Sequence, residues 1–203
     1  YGVTNTSNRA YYYDFGLNYD RTFGRHHVMA MLLFNRRDYK DLTAGNSMLN
    51  LPYRRQGLAG RLTYDYAGRY LAEFNFGYNG SENFREGSRY GFFPSASLGW
   101  VVSGEEFWQR SGFLKDIYFK LRGSYGVVGN DQISNDRFLY LSTVNTNANG
   151  GLFGSSQTGI VGYSEYKIGA DVTWEKAYKA DIGIELRFLK DRLSLQGDFF
   201  DED

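Results

Sequence analysis

Asp181 and Glu185 are the pair whose residue types first suggest chemistry, since two carboxylates on one face are what acid–base cleavage of a glycosidic bond requires. In an extended strand they share a face but stand about 13 Å apart along it. That is beyond the roughly 5–9.5 Å that glycoside hydrolysis uses. His26 and His27 are adjacent, so a strand sends them to opposite faces and they make a poor metal pair. A position beside a turn suits them better. No Ser/His/Asp arrangement is visible, and GVVGND (Gly126–Asp131) reads as a strand leaving for a loop, because a phosphate-binding turn must open a helix. Cysteine is absent, which removes thiol catalysis, thiolate metal sites and disulfides. The chain is therefore expected to be no enzyme, with no catalytic residue, metal site or cofactor.

Two other groups of residues can act by binding. Arg61, Asp65, Glu73, Lys120, Arg122, Lys179, Asp181, Glu185 and Arg187 all fall on the polar side of alternating stretches. They can guide a polar solute, or neutralise one another as a cross-strand ladder of ion pairs, each worth little alone. The ladder is the simpler reading. Tyr39, Phe84, Tyr90, Phe138, Tyr140, Phe153, Tyr163 and Tyr166 fall in connections, together with the amides of Asn145, Asn147 and Asn149. Rings and amides of this kind stack on and hydrogen-bond sugars, and equally pack loop against loop.

The elements that must position these residues are strands. In Gly57–Tyr66, Leu58, Leu62, Tyr64 and Tyr66 fall on one face while Arg61, Thr63 and Asp65 fall on the other. Eight such stretches recur: Arg9–Asp20, His26–Asn35, Arg54–Tyr66, Tyr70–Asn79, Tyr90–Val102, Ile117–Gly126, Trp174–Phe188 and Leu193–Phe200. The second is apolar on both faces in its middle, which predicts that its inward side packs against something. Pro94 lacks a ladder donor and is expected near a strand end or a bulge. Glu105–Arg110 suits one or two helical turns, and Phe107 and Trp108 suit anchoring at a membrane boundary. The stretch 127–173 is rich in Asn, Gly, Ser and Thr and reads as one long loop, with a strand pair of its own near Phe138–Thr143.

Composition narrows the class. The 23 basic and 23 acidic residues cancel, so no electrostatic pull toward nucleic acid is expected. The longest apolar run, Val28–Phe34, is far too short for a spanning helix. A negative mean hydropathy excludes helical membrane proteins but not a barrel, which shows only every second residue to lipid. Connections run short, long, short, long, moderate, very long, short, as in an up-and-down barrel with tight turns at one end and long loops at the other. Tyr66, Tyr70, Tyr78, Trp100, Trp174 and Phe188 lie near strand ends, as interfacial girdles require. The predicted fold is all-β, an antiparallel transmembrane β-barrel whose charged face lines the lumen. The alternatives are a small self-contained barrel with a structural or adhesive role and a soluble β-sandwich carbohydrate binder, in which the apolar face is the core.

RYGFFPSASLGW (Arg89–Trp100), LRGSYGVVGND (Leu121–Asp131), TWEKAYKADIGIELRFLKDRLSL (Thr173–Leu195) and DRTFGRHHV (Asp20–Val28) together resemble the SusC/RagA family, TonB-dependent outer-membrane transporters of Bacteroidota. The resemblance implies a plugged barrel of about 22 strands, of which this chain supplies eight. It implies localisation in the bacterial outer membrane and import of oligosaccharides or peptides, energised by TonB and assisted by a SusD-like surface lipoprotein acting as lid. Expected partners are the remainder of its own barrel and plug, that lipoprotein, TonB through N-terminal parts, and outer-membrane lipid; nucleic acid is not one. On this reading the nine charges line the lumen and face solute or plug, and the eight connection aromatics are external contacts to ligand or lid. Residues 1–203 then form one partial barrel domain without plug or TonB box.

Overall fold

In the computed structural model, residues 6–43, 50–134, 138–153, 158–167, 171–189 and 191–203 are described. They form β1 (Asn8–Phe23), β2 (His26–Asp41), β3 (Tyr53–Tyr66), β4 (Tyr70–Ser81), β5 (Tyr90–Val101), α1 (Glu106–Gln109), β6 (Tyr118–Asn130), β7 (Thr143–Phe153), β8 (Thr158–Lys167), β9 (Glu175–Phe188) and β10 (Leu193–Glu202). Eight strands make one antiparallel sheet in the order β1-β2-β3-β4-β5-β6-β9-β10, so each alternating stretch of the sequence pairs with its neighbour in the chain. β7 and β8 form a separate hairpin inside the connection from β6 to β9.

Several strands run beyond the ends that alternation marks. β2 continues through Arg36 and Lys40 to Asp41, because backbone pairing with β1 and β3 holds out to Asn8–Asp41 and Tyr39–Tyr53 whatever the side chains are. β6 extends to Asn130, opposite Glu175. The strand pair expected near Phe138–Thr143 lies later, over β7 and β8. Pro94 sits within β5, where the ladder to β6 stops at Ser95–Gly126 and a missing N–H costs nothing.

Turns at one end of the sheet are tight. Tyr66 to Arg69 closes with an Arg69 N–H to Tyr66 C=O bond of 3.0 Å, and both central residues, Ala67 and Gly68, have positive φ (55° and 68°). That is the hairpin geometry whose twist matches the strands. Asp65 Oδ1 accepts the Gly68 N–H at 2.8 Å and fixes the turn. α1 lies at the same end, in the connection from β5 to β6. There Trp108 donates its Nε1–H to Ile117 C=O at 3.0 Å and stacks on Phe119, while Phe107 remains exposed.

The sheet has almost no core. Among the described residues the buried hydrophobics are Phe84, Phe93, Val102, Phe138 and Trp174. Registered residues share a face in an antiparallel sheet, and the row Leu98–Gly123–Ile182–Phe199 is characteristic of one side. Leu98, Ile182 and Phe199 are 69%, 67% and 75% exposed. Phe15, Leu17, Leu62, Phe74 and Tyr125 line the same face and are exposed as well. Among the described residues no second sheet covers this wall, so the sandwich alternative, which buries it, does not describe them. β1 and β10 each have a single neighbour, so the eight strands do not close on themselves as a small barrel either. The apolar middle of β2 is partly covered on its polar side, where Met31 and Leu33 are half-buried and Met29 is exposed.

Aromatic residues bracket the apolar face. Tyr66, Tyr70 and Trp100 form one row at the tight-turn end, and Tyr78, Phe92 and Tyr90 lie at the other. Tyr70 and Tyr78 are about 27 Å apart along the strand, or about 21 Å in height at a 40° tilt, close to the apolar band of an outer-membrane barrel. Trp174 does not belong to a girdle. It is 9% exposed, packed edge-on against Phe93 at 5.0 Å and against Phe84 at 5.4 Å. His26 and His27 take opposite faces beside the first turn: His26 Nδ1 lies 2.7 Å from the Tyr64 hydroxyl and His27 Nε2 lies 2.7 Å from Asp20.

Candidate functional site

The register brings all nine candidate charges to the face opposite Leu98 and Ile182. Arg61 shares a row with Asn75, Ser95, Gly126 and Lys179, and Glu73 shares the next with Ser97, Ser124 and Asp181. Asp65 and Arg122 fall in a third row, Lys120 and Glu185 in a fourth, and Arg187 stands opposite Tyr118. This follows from the strand period of two combined with a ladder that keeps its register from β2 to β10. The result is a sheet with one apolar and one polar side, the arrangement expected where one side meets acyl chains and the other meets water.

Most of these charges satisfy one another. Arg61 reaches Glu73 at 2.6 Å across β3 and β4. Arg187 Nε donates to Glu185 at 2.8 Å along β9. Lys179 lies 2.9 Å from Glu202, and Arg122 pairs with Asp198. Asp65 is taken up by its turn. The cross-strand ladder therefore accounts for Arg61, Glu73, Arg122 and Lys179, while Glu185 and Arg187 pair along one strand and Lys120 and Asp181 have no ion pair among the described residues. Two partners were not singled out from the sequence, Asp198 and Glu202. The available signal was the alternation of Leu195 and Phe199 with Gln196 and Asp198. Asp181 and Glu185 do not act as a pair: they lie in separate rows, and Glu185 is occupied by Arg187.

The connection aromatics divide. Phe84 is 1% exposed and Phe138 is buried, so neither presents a ring to a ligand or a lid, in contrast to the expectation for exposed loop residues. Phe84 is instead the centre of the only hydrophobic cluster among the described residues, with Phe93 and Trp174. Its placement comes from a chain reversal between β4 and β5, held by Arg89 Nε donating to Phe84 C=O at 3.2 Å and Trp174 Nε1 donating to Arg89 C=O at 3.1 Å. Tyr90 opens β5, stacks on Tyr78 at 5.1 Å and meets the Gln56 side chain, so it belongs to the aromatic border of the apolar face. Tyr39 lies in β2, beside Tyr53 of β3 with ring centroids 5.9 Å apart. Tyr140 lies in the loop against Phe138, and Tyr163 of β8 is almost fully exposed. The side chains of Phe153, Tyr166, Asn145, Asn147 and Asn149 lie outside the described residues.

At the tight-turn end, Glu105 gathers three donors: the Tyr70 hydroxyl, Trp100 Nε1 at 3.2 Å and Arg69 Nη1 at 3.2 Å. Hydrogen bonds from Tyr70 and then Trp100, with the Arg69 charge, hold its carboxyl below the usual range. This cluster ties the strand ends of β4 and β5 to the α1 connection. No group of three or more His, Cys, Asp or Glu able to hold a metal ion occurs among the described residues.

No family model matches the chain. A TonB-dependent receptor of Formosa agariphila is 33% identical over 142 residues, 70% of this chain and 13% of that protein. A second receptor of the same organism is 26% identical over 223 aligned residues, 98% of this chain and 21% of that protein. SusC of Bacteroides thetaiotaomicron is 31% identical over 135 residues, covering 66% of this chain and 13% of SusC. The chain thus spans between about an eighth and a fifth of these relatives. Among solved structures, the RagAB peptide transporter superimposes with a TM-score of 0.73 at 19% identity, covering 95% of this chain and 23% of that one. The 'open-open' state of the RagAB importer gives 0.64. These matches agree with the two-faced sheet and with the four sequence phrases that resemble this family. The chain belongs to the SusC-like TonB-dependent receptors, and its eight-stranded sheet is a section of their outer-membrane β-barrel wall.

Proposed function

We propose that this wall section serves an outer-membrane importer that takes up oligosaccharides, or alternatively peptides, with energy delivered through TonB and with a SusD-like surface lipoprotein as lid. The observation that carries this reading is the division of one continuous sheet into an uncovered apolar face and a face of mutually paired charges. A wall of that kind separates acyl chains from a solvated passage. In this reading the long connection from β6 to β9, with its β7–β8 hairpin, is on the outer side, and the tight turns face the periplasm. The nine charges then border the lumen, where the cross-strand pairs made by Arg61, Glu73, Arg122 and Lys179 tie strands of the wall together.

The orientation is tested with nitroxide labels at Leu186 and Glu185 of the full-length receptor in proteoliposomes. The Leu186 label is expected to be relaxed more by oxygen and the Glu185 label more by a water-soluble nickel chelate. Equal or reversed access ends the proposal. Import itself is tested by deleting the receptor gene: uptake of labelled oligosaccharide is expected to fall to background while monosaccharide uptake persists, and affinity-purified receptor is expected to retain a surface lipoprotein. Unchanged uptake of both oligosaccharides and peptides overturns the transport reading.

A further inference from the structure

At the loop end of the polar face, Arg37 of β2 and Arg55 of β3 stand directly opposite each other. Two guanidinium groups in register on neighbouring strands repel. Arg55 is compensated by Asp131 at 3.0 Å. Arg54, the next residue, is compensated by Asp38 at 2.9 Å and Glu82 at 3.6 Å. Arg37 has no carboxylate within ion-pair distance among the described residues, and it borders an open cleft of about 360 Å³ whose lining carries three arginines and one acid, Glu82.

One row further out, Tyr39 and Tyr53 form a registered pair with their rings inclined at 53°, giving the cleft an aromatic wall. The side chains of Asn83 and Gln132 supply amides on the far side. Among the described residues no apolar side chain apart from the tyrosine rings lines the cleft, which offers no surface for an aliphatic peptide side chain. A cation lacking a partner, an aromatic wall and side-chain amides together fit a sugar ring that carries an acid group. The ring packs on the tyrosines, the hydroxyls meet the amides, and the carboxylate or sulfate takes a charge-assisted bond from Arg37.

We infer that this cleft is a binding subsite for acidic saccharides, those bearing uronate carboxylates or sulfate esters. The inference rests on the oligosaccharide-import reading and narrows it from glycans in general to charged ones. Arg37 supplies the selectivity, since among the described residues no carboxylate lies within ion-pair distance of it and Arg55 stands opposite.

The test uses full-length receptor in detergent and titration calorimetry against fragments of polygalacturonate, alginate and chondroitin sulfate, each beside a neutral counterpart with its uronates methyl-esterified and any sulfate removed. At least one acidic fragment is expected to bind tenfold or more tightly than its neutral counterpart. R37Q is expected to weaken that fragment by about tenfold to a hundredfold, the worth of a charge-assisted bond, while leaving the neutral form unchanged. K115Q, at the opposite end of the sheet, serves as the control with no effect. Equal affinity for every acidic and neutral pair, or an R37Q receptor that binds as well as the unaltered one, overturns the inference while leaving oligosaccharide import intact. Binding of peptides but of no saccharide in either form overturns the import reading and this inference together. Heat-modifiable electrophoretic migration reports whether R37Q folds, and the acid–ester comparison on the unaltered receptor decides the question if it does not.

Discussion

Arg122 on β6 and Asp198 on β10 form an ion pair that passes across the intervening strand β9 over the backbone of Gly183, with the three residues in one registered row. A Cβ at Gly183 would overlap both the Arg122 and the Asp198 side chains. Glycine is therefore what allows a second-neighbour strand to be clamped. Gly183→Val is expected to destabilise the receptor by about 1–3 kcal/mol through overpacking and loss of the pair. Asp198→Asn, which leaves the space unchanged, is expected to cost about 1 kcal/mol or less. Urea unfolding of the full-length receptor, followed by heat-modifiable migration, measures both. Equal effects of the two changes would mean that the valine costs no more than the lost ion pair, and that the space over Gly183 is not needed for packing.

The two faces differ in what they tolerate. Leu62 lies midway between the aromatic rows on the apolar face, and Thr63 is next to it on the polar face. Leu62→Arg is expected to cost about 2–4 kcal/mol because its charge enters the bilayer middle. Thr63→Arg is expected to be nearly neutral, its guanidinium meeting water and the carboxylates of Asp65 and Glu73. Yields of folded receptor in outer-membrane fractions compare them directly. A larger loss for Thr63→Arg than for Leu62→Arg would reverse the assignment of faces.

How far the sequence revealed this architecture depends on how local each signal is. Leu58, Leu62, Tyr64 and Tyr66 alternate with Arg61, Thr63 and Asp65 within one strand, so both the strand and its faces are legible without a partner. The pairing of Arg122 with Asp198 is not, because it depends on the register of a third strand and on an empty Cβ position at Gly183. Phe84 reads as an exposed loop aromatic, yet Trp174, distant in sequence, buries it. The strand pair expected in the long connection was placed too early, near Phe138–Thr143, because TVNTNANGGLF carries little apolar–polar contrast and its register slips in three places. The cleft beside Arg37 was half legible: Tyr39 stood out as an aromatic, but its location in a strand and its pairing with Tyr53 required the extension of β2.

Phe84 closes the small cluster that holds the connection from β4 to β5 against the start of β9. The Phe93 ring also lies over Gly91 and Gly129, where a Cβ would overlap it. Phe84→Ala is expected to cost about 3–5 kcal/mol of local packing. Because the cluster sits at the loop end, the loss should loosen the loop without dismantling the wall. Trypsin added to intact cells is expected to cut the variant after Arg85 or Arg89 much faster than the unaltered receptor, with migration of the folded barrel preserved. Unchanged cleavage would show that the cluster does not restrain this loop.

The last expectation concerns pH. Glu105 lies in the connection at the tight-turn end, and hydrogen bonds from Tyr70 and Trp100 with the Arg69 charge lower its carboxyl from the ordinary value of 4.5. A carboxyl with a lower folded than unfolded pKa binds fewer protons in the folded state. Its stabilising contribution is complete above the unfolded value and disappears as pH falls through the folded one. The urea midpoint of the unaltered receptor is therefore expected to drop as pH falls from the ordinary value of 4.5 through the lower folded one, and Glu105→Gln should remove the part of that drop due to this group. At neutral pH the variant should already be the less stable of the two, because a neutral amide holds Arg69 less well than a carboxylate. A midpoint difference between the two proteins that stays constant across this window would show that Glu105 carries the same proton occupancy folded and unfolded, and that the Tyr70 and Trp100 bonds do not favour its charged form.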